Sequence, residues 1–279
     1  MCFAAGAPHD AEDGIDEAVI DGAPDATPDG PSYVPWGTPV ELTSLETPGM
    51  GETDPSVTAD KLTAVLAADT ALNDADIYIA TRSALTDTFT PSLLTAVNAT
   101  GFNDESPEIS SDGKTLYFIS NRSGAYQVYI STFTTMWSDP VEATDLSSNA
   151  ADGDVAISPD GLTAATLRDG NPNRIYIYTR ASTGVAFSGA TLHTELEVTA
   201  DIAAPTITNG GAVIYLHAGT PRDLYRATLQ GNGTYTTPVP VTELNDTALR
   251  DAAPFVVQTD DYVIYERAGD IFESTRTLP

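Results

Sequence analysis

Acidic residues recur in this chain at intervals of about fifty, each time just ahead of a proline or a valine. Glu52 and Asp54 precede Pro55, Asp104 and Glu105 precede Pro107, and Asp152 and Asp154 precede Val155. Asp201 precedes Pro205, and Asp251 precedes Pro254. Carboxylates brought to one rim raise each other's pKa or recruit a cation. A shell made only of oxygen suits Ca²⁺ or Mg²⁺ rather than zinc. Glu52, Asp54, Asp104, Asp152, Asp154, Asp201 and Asp251 are therefore a candidate cation ring. The column also has a plainer use, which weighs more: an Asp ahead of a strand accepts backbone N–H bonds in the preceding turn. No cofactor is required by any motif, and Ca²⁺ or Mg²⁺ is the candidate ion.

Carboxylate pairs also cleave glycosides, with separations of about 6.5–9.5 Å for inversion and about 5–5.5 Å for retention. Asp54, Asp104 and Asp152 or Asp154 are the set for that chemistry. Two features oppose it. The acids recur in every repeat, whereas catalysis needs asymmetry, and Trp36 and Trp137 fall in an outer column unsuited to sugar stacking. Arg122, Arg168 and Arg267 each follow a second strand. They pair with the acidic rim or, if left unpaired, read an anionic ligand group. His9, His193 and His217 lack ligand spacing. No nucleophile triad or phosphate-binding loop is present.

The elements that must position these groups repeat five times. An aromatic followed three places later by Thr recurs as Tyr78/Thr81, Tyr129/Thr132, Tyr176/Thr179, Tyr225/Thr228 and Phe272/Thr275. A period of this length marks a propeller or a solenoid. Each repeat opens with the Pro55, Pro107, Val155, Pro205, Pro254 column and then reaches a turn at Asp60, Asp112-Gly113, Asp160-Gly161, Gly210-Gly211 or Asp260-Asp261. Such residues accept positive φ in hairpins. A fourth strand is marked by Phe89, Trp137, Phe187 and Tyr235. The fifth copy is missing after Thr275 and reappears at the other end, where Trp36-Gly-Thr-Pro-Val-Glu mirrors Trp137-Ser-Asp-Pro-Val-Glu. An N-terminal strand that completes the last repeat closes a ring and removes exposed strand edges. The expected fold is all-β: a five-bladed β-propeller with four antiparallel strands per blade. The propeller spans 33–279, with repeats near 50–100, 101–148, 149–198, 199–247 and 248–279, and a closing strand at 36–45.

The repeats resemble the TolB-type, WD40-like propeller repeat. The likeness is clearest in Asp104-Glu-Ser-Pro-Glu-Ile-Ser-Ser-Asp-Gly-Lys-Thr-Leu-Tyr-Phe-Ile-Ser-Asn-Arg-Ser-Gly124 and good in Asp152–Thr179. It covers about residues 36–279 and implies the fold more firmly than the function, because such propellers serve as periplasmic binding proteins and as lipoprotein modules. Five blades are fewer than the six typical of TolB. In this architecture the first strand of each blade lines a central channel, which would set the carboxylate column around one mouth.

Composition narrows the function. Lys and Arg together number 12 against 40 Asp and Glu, a net charge of −28. Nucleic acid needs a basic footprint that is lacking, and anionic membrane surfaces repel such a chain. Cationic partners are drawn to it. Residues 1–32 are rich in Asp, Glu, Pro, Gly and Ala and read as a disordered acidic tether. Cys2 stands where a mature bacterial lipoprotein carries its lipid. The chain itself holds no signal peptide, and Cys2 would be its only membrane contact. The expectation is a monomeric, non-catalytic module tethered in the bacterial cell envelope, in the periplasm or at the outer-membrane or cell surface. It would recognise an envelope protein, peptide or glycan at the channel mouth. A five-bladed glycoside hydrolase is the alternative.

Overall fold

The computed structural model describes residues 33–47, 50–69, 74–148, 150–199 and 201–278. The chain divides between Tyr33 and Val34, and the tether expected over 1–32, Cys2 included, lies outside the described residues. The unit Val34–Pro279 is a five-bladed propeller with four antiparallel strands per blade. Blade 1 holds β2 (Glu52–Val57), β3 (Thr63–Asp69), β4 (Ala75–Thr81) and β5 (Thr90–Leu93). Blade 2 holds β6 (Asp104–Ile109), β7 (Thr115–Ser120), β8 (Gln127–Thr132) and β9 (Val141–Glu142). Blade 3 holds β10 (Asp152–Ile157), β11 (Thr163–Arg168), β12 (Arg174–Thr179) and β13 (Ser188–Leu192). Blade 4 holds β14 (Ile202–Thr208), β15 (Val213–Ala218), β16 (Asp223–Thr228) and β17 (Val239–Pro240).

Blade 5 mixes the two ends of the chain. Its sheet runs β1 (Val40–Glu41), β20 (Asp270–Thr275), β19 (Tyr262–Arg267), β18 (Asp251–Val256). The expected closure forms, and in the expected register: Val40-Glu41 and Val141-Glu142 fill the same outer place in their blades. The strand proper is shorter than 36–45, but its flanks hold on. Gly37 N donates to Thr275 O at 2.9 Å, Leu42 N to Ile271 O at 2.7 Å, and Ser274 Oγ to Gly37 O at 2.8 Å. A Cβ at Gly37 would stand 2.9 Å from the Thr275 carbonyl, so this contact requires glycine.

Apolar cores lie between neighbouring blades. Leu66 and Ala80 of blade 1 meet Tyr262 and Ile264 of blade 5, while Ile175 and Ile177 of blade 3 meet Ile207 and Leu216 of blade 4. The second strands are covered on both faces, which is why Thr115-Leu-Tyr-Phe-Ile-Ser120 is apolar without alternation. A fully buried Leu contributes about 1.5–3 kcal/mol, repeated at every interface. A second column tightens three blades: Arg82, Arg180 and Arg276 stack on Phe89, Phe187 and Trp36 at 4.3, 4.1 and 4.2 Å. Each donates its Nε to a carbonyl of the blade's own first hairpin, Lys61, Gly161 or Asp260.

The first strand of every blade slips register once, in β10 between Asp152 and Asp154. In the other four blades the slip coincides with positive φ at Asp54, Ser106, Ala204 and Ala253, at 49°, 49°, 47° and 47°. None of the four is a glycine, and a left-handed residue with a Cβ costs about 1–2 kcal/mol. The bulge bends the strand and re-aims the side chains beside it.

Candidate functional site

The N-terminal ends of β2, β6, β10, β14 and β18 form one mouth of the channel, here called the upper mouth. Their C-terminal ends and the first hairpins form the lower mouth. The seven carboxylates of the proposed ring do not share one place at the upper mouth. Glu52, Asp104, Asp152 and Asp251 occupy the first position of their strands and are buried. Each turns back and caps the loop that enters its blade. Ala99 N donates to Asp104 Oδ2 at 2.6 Å, Ser148 N to Asp152 Oδ2 at 2.9 Å, and Asp246 N to Asp251 Oδ2 at 2.6 Å. Thr47 N donates to Glu52 in the same way. This is the backbone role that competes with metal binding in the column. Ile202 takes that position in blade 4, and Asp201, one place earlier, faces Arg222 at 3.8 Å with both side chains partly in solvent.

Two of the three arginines belong to the caps. Arg122 pairs with Asp104 and also donates to Val97 O at 2.7 Å. Arg267 Nε donates to Asp251 at 2.7 Å, and its NH2 group reaches Leu244 O. Arg168 instead stacks on Tyr176 at 3.8 Å and donates to Tyr178 Oη at 2.7 Å. Asp152 Oδ1 is left without a partner, and burial raises this carboxyl above its ordinary pKa. All three guanidinium groups thus have partners within the propeller, and Arg122 and Arg267 also reach a carbonyl of the preceding repeat.

Asp54 and Asp154 sit two residues further in, at the bulge. Asp154 accepts Ser106 Oγ from blade 2 at 2.9 Å and Ala204 N from blade 4 at 2.9 Å, joining three blades through one carboxylate. Burial lifts it to about 6 against these donors. Burial lifts Asp54 to about 7, with the Asp154 and Glu266 charges adding to the shift. Glu105 rises to about 7 by burial and the Asp54 charge. Asp54, Ser106, Ala204 and Ala253 line a recess of about 30 Å³, room for about two water molecules at ~10–15 Å³ each. Among the described residues no group of three or more His, Cys, Asp or Glu is placed to hold a metal ion.

Two further groups of this mouth escaped the sequence pattern because each occurs in one blade only. Glu266 accepts Thr53 Oγ1 at 3.2 Å from blade 1 and pairs with Arg250. His217 accepts Ala253 N on Nδ1 at 3.1 Å, clasping blade 4 to blade 5. Burial, with Arg222 and Arg250 nearby, pushes it down to about 3, so the ring is neutral and its hydrogen lies on Nε2. That N–H has no partner in the structure. His193 is a packing residue: it bonds Glu195 at 2.8 Å and meets Tyr235 edge-on at 5.3 Å.

The lower mouth is different in size and chemistry. A cavity of about 580 Å³ opens there. Val57, Ile109, Ile157, Ile207 and Val256 wall it, one from each first strand, so ring closure itself builds the site. Hairpin residues Asp112 and Asp160 and the exposed Thr183 stand at its edge. Asp112 and Asp160 are tied into their turns, accepting Ser110 Oγ and Ser158 Oγ at 2.7 Å. Arg180 is held by Gly161 O at 2.6 Å. Glu108 reaches this cavity from within the channel, only 7% exposed. Burial raises its carboxyl well above the ordinary range.

No family model matches the chain, and no curated protein matches it. Solved structures share the fold. TolB from Acinetobacter baumannii aligns at 17% identity and a TM-score of 0.53, over 81% of this chain and 55% of that one. The α-L-arabinofuranosidase PaAbf62A from Podospora anserina, in complex with cellotriose, aligns at 14% identity and a TM-score of 0.61, over 88% and 98%. Zg3597, a family 117 glycoside hydrolase from Zobellia galactanivorans, aligns at 11% identity and a TM-score of 0.54, over 87% and 90%. At these identities the likeness establishes a propeller fold shared with TolB and with glycoside hydrolases, and it leaves the activity to the site.

Proposed function

We propose that this chain is a non-catalytic recognition module that takes a segment of a protein, peptide or glycan into the lower mouth of its channel. The observation that carries this reading is the 580 Å³ cavity walled by all five first strands. Its volume falls in the range of about 300–1,000 Å³ typical of ligand sites, with apolar walls from the first strands and a polar edge from the hairpins. The upper recess of about 30 Å³ has no room for a sugar ring. The reading includes a monomeric protein held at a bacterial envelope by lipid on Cys2, an anchor suggested by the place of that cysteine in the sequence. Thr183→Trp fills the cavity edge from an exposed position and leaves the blade cores intact. Ligands on a peptide and glycan array that bind the native chain and not this variant support the proposal. Equal binding by both proteins, or none by either, overturns it.

A second reading, glycoside hydrolysis, is favoured by one observation: Asp54, Glu105 and Asp154 are carboxyl groups held near neutral pKa at the upper mouth. General acids of glycosidases have raised values of this kind. The set differs from the one suggested by sequence, because Asp104 and Asp152 are spent on caps. Turnover of an aryl glycoside panel, abolished in a folded Asp54→Asn variant, would establish this reading and displace the first.

A further inference from the structure

Glu108 does a job that its neighbours do without a carboxyl group. The matching position in blade 1 is Ser56, whose hydroxyl accepts Ile109 N at 2.9 Å and donates to Pro107 O at 2.9 Å, joining blades 1 and 2. Glu108 makes the corresponding link from blade 2 to blade 3, but only through Ile157 N at 3.4 Å. Blade 3 has Ala156 there, and no side-chain link is needed. The fold therefore does not require a carboxyl group at 108. A carboxylate offers about four acceptor sites, and one long hydrogen bond occupies one of them. No Lys or Arg pairs with Glu108 among the described ion pairs. Burying such a group unpaired is unfavourable, and this one lines the cavity of about 580 Å³.

The chemistry of the walls selects the partner. Hard metal ions need several oxygen ligands, and Glu108 is the one acid reaching the cavity from the channel wall, while Asp112 and Asp160 are engaged in their turns. A guanidinium prefers both oxygens of a carboxylate in a planar bidentate fork, and the bond from Ile157 N competes for one lone pair of one oxygen. An ammonium is a compact point charge on a flexible stem. Its methylenes would lie along Ile109, Ile157 and Phe255, as lysine stems do on apolar surfaces. The net charge of −28 draws such a cation toward the protein.

We propose that the lower cavity is a lysine-side-chain receptor, with Glu108 as the counter-ion at its floor and the first-strand aliphatics holding the stem. The proposal rests on the recognition role assigned to that cavity and names its ligand class. The test is calorimetric titration of the full chain with a blocked Ala-Lys-Ala peptide and with its norleucine analogue, which keeps the stem and lacks the charge. The lysine peptide should bind about tenfold or more tightly than the analogue, since truncating one partner of a buried charge pair has at least that effect. Glu108→Gln should remove the difference while leaving norleucine binding unchanged. The wild-type comparison stands by itself if the variant fails to fold. Equal affinity for both peptides would overturn the lysine assignment and leave the cavity as a recognition site. Binding of neither peptide would overturn the lysine assignment, and the array result with Thr183→Trp would then decide the recognition role separately.

Discussion

The two mouths of the channel differ in what their carboxylates are bound to. At the upper mouth Asp104 and Asp251 are each held by a backbone N–H and an arginine, and Asp154 by donors from two other blades. At the lower mouth Glu108 has one hydrogen bond of 3.4 Å and a large cavity in front of it. A carboxylate column repeated in each blade stabilises each blade; an acid found in one blade, and underused there, is where a ligand gains most. Proximity of acids to a channel is thus a poor guide to function unless their hydrogen bonds are followed.

The largest test of this contrast is Asp104→Ala. It leaves Ala99 N without its acceptor and Arg122 without its counter-ion, and breaking a buried ion pair costs about 3–5 kcal/mol. Asp112→Ala, in the exposed hairpin at the other end of the same strand pair, removes turn hydrogen bonds worth about 0.5–1.5 kcal/mol. Urea unfolding of the two variants side by side measures the ratio. Equal losses would mean that the upper caps are no more structural than an ordinary turn.

Protons offer a second test, of intermediate size. Asp54 and Glu105 have ordinary values of 3.8 and 4.5 and folded values of about 7. Between those limits the folded state holds more protons than the unfolded one. Their stabilising contribution is complete below about pH 4 and is lost as the pH rises through about 7. Asp112 is shifted the other way, lowered by its bond from Ser110 Oγ, and its contribution is lost only as the pH falls below the ordinary carboxylate value. The melting temperature should therefore fall from pH 5 to pH 8, and Asp54→Asn with Glu105→Gln should flatten that slope. A slope unchanged in the double variant would place the titration elsewhere.

What the sequence revealed, and what it did not, follows the same division. Groups that recur in a column were legible: the five repeats, the closing strand at Val40-Glu41, and the paired use of Asp104 with Arg122 as one of two options. The caps could be distinguished from the bulge only in three dimensions, because Asp152 and Asp154 are two residues apart and the register slip between them sends one into the blade and the other across to its neighbours. Asp201 looked like part of the column, yet Ile202 holds the cap position in its blade. Glu108, Glu266 and His217 were illegible because each is a single exception within a repeat, and nothing in spacing marks an exception as buried.

Glu108→Gln should change stability by no more than about 1 kcal/mol, since the side chain makes one long hydrogen bond and Gln, of similar shape, can still accept it from Ile157 N. A loss as large as that of Asp104→Ala would make Glu108 a structural clasp and erase the difference between the two mouths.

Calcium gives the smallest expected effect and the finest distinction. A ligand raises the melting temperature only through preferential binding to the folded state. The cap carboxylates have backbone and arginine donors to displace before they could take an ion, and Asp154 would have to release Ser106 and Ala204. Asp54 and Glu105 alone are too few oxygens for a Ca²⁺ shell of six to eight. After chelation, Ca²⁺ titrated at fixed ionic strength should raise the melting temperature no further than NaCl does. A saturable rise that disappears in Asp54→Asn and persists in Glu52→Gln would show that the bulge carboxylates yield their donors to a cation, and the upper mouth would then be a binding site as well as a set of joints between blades.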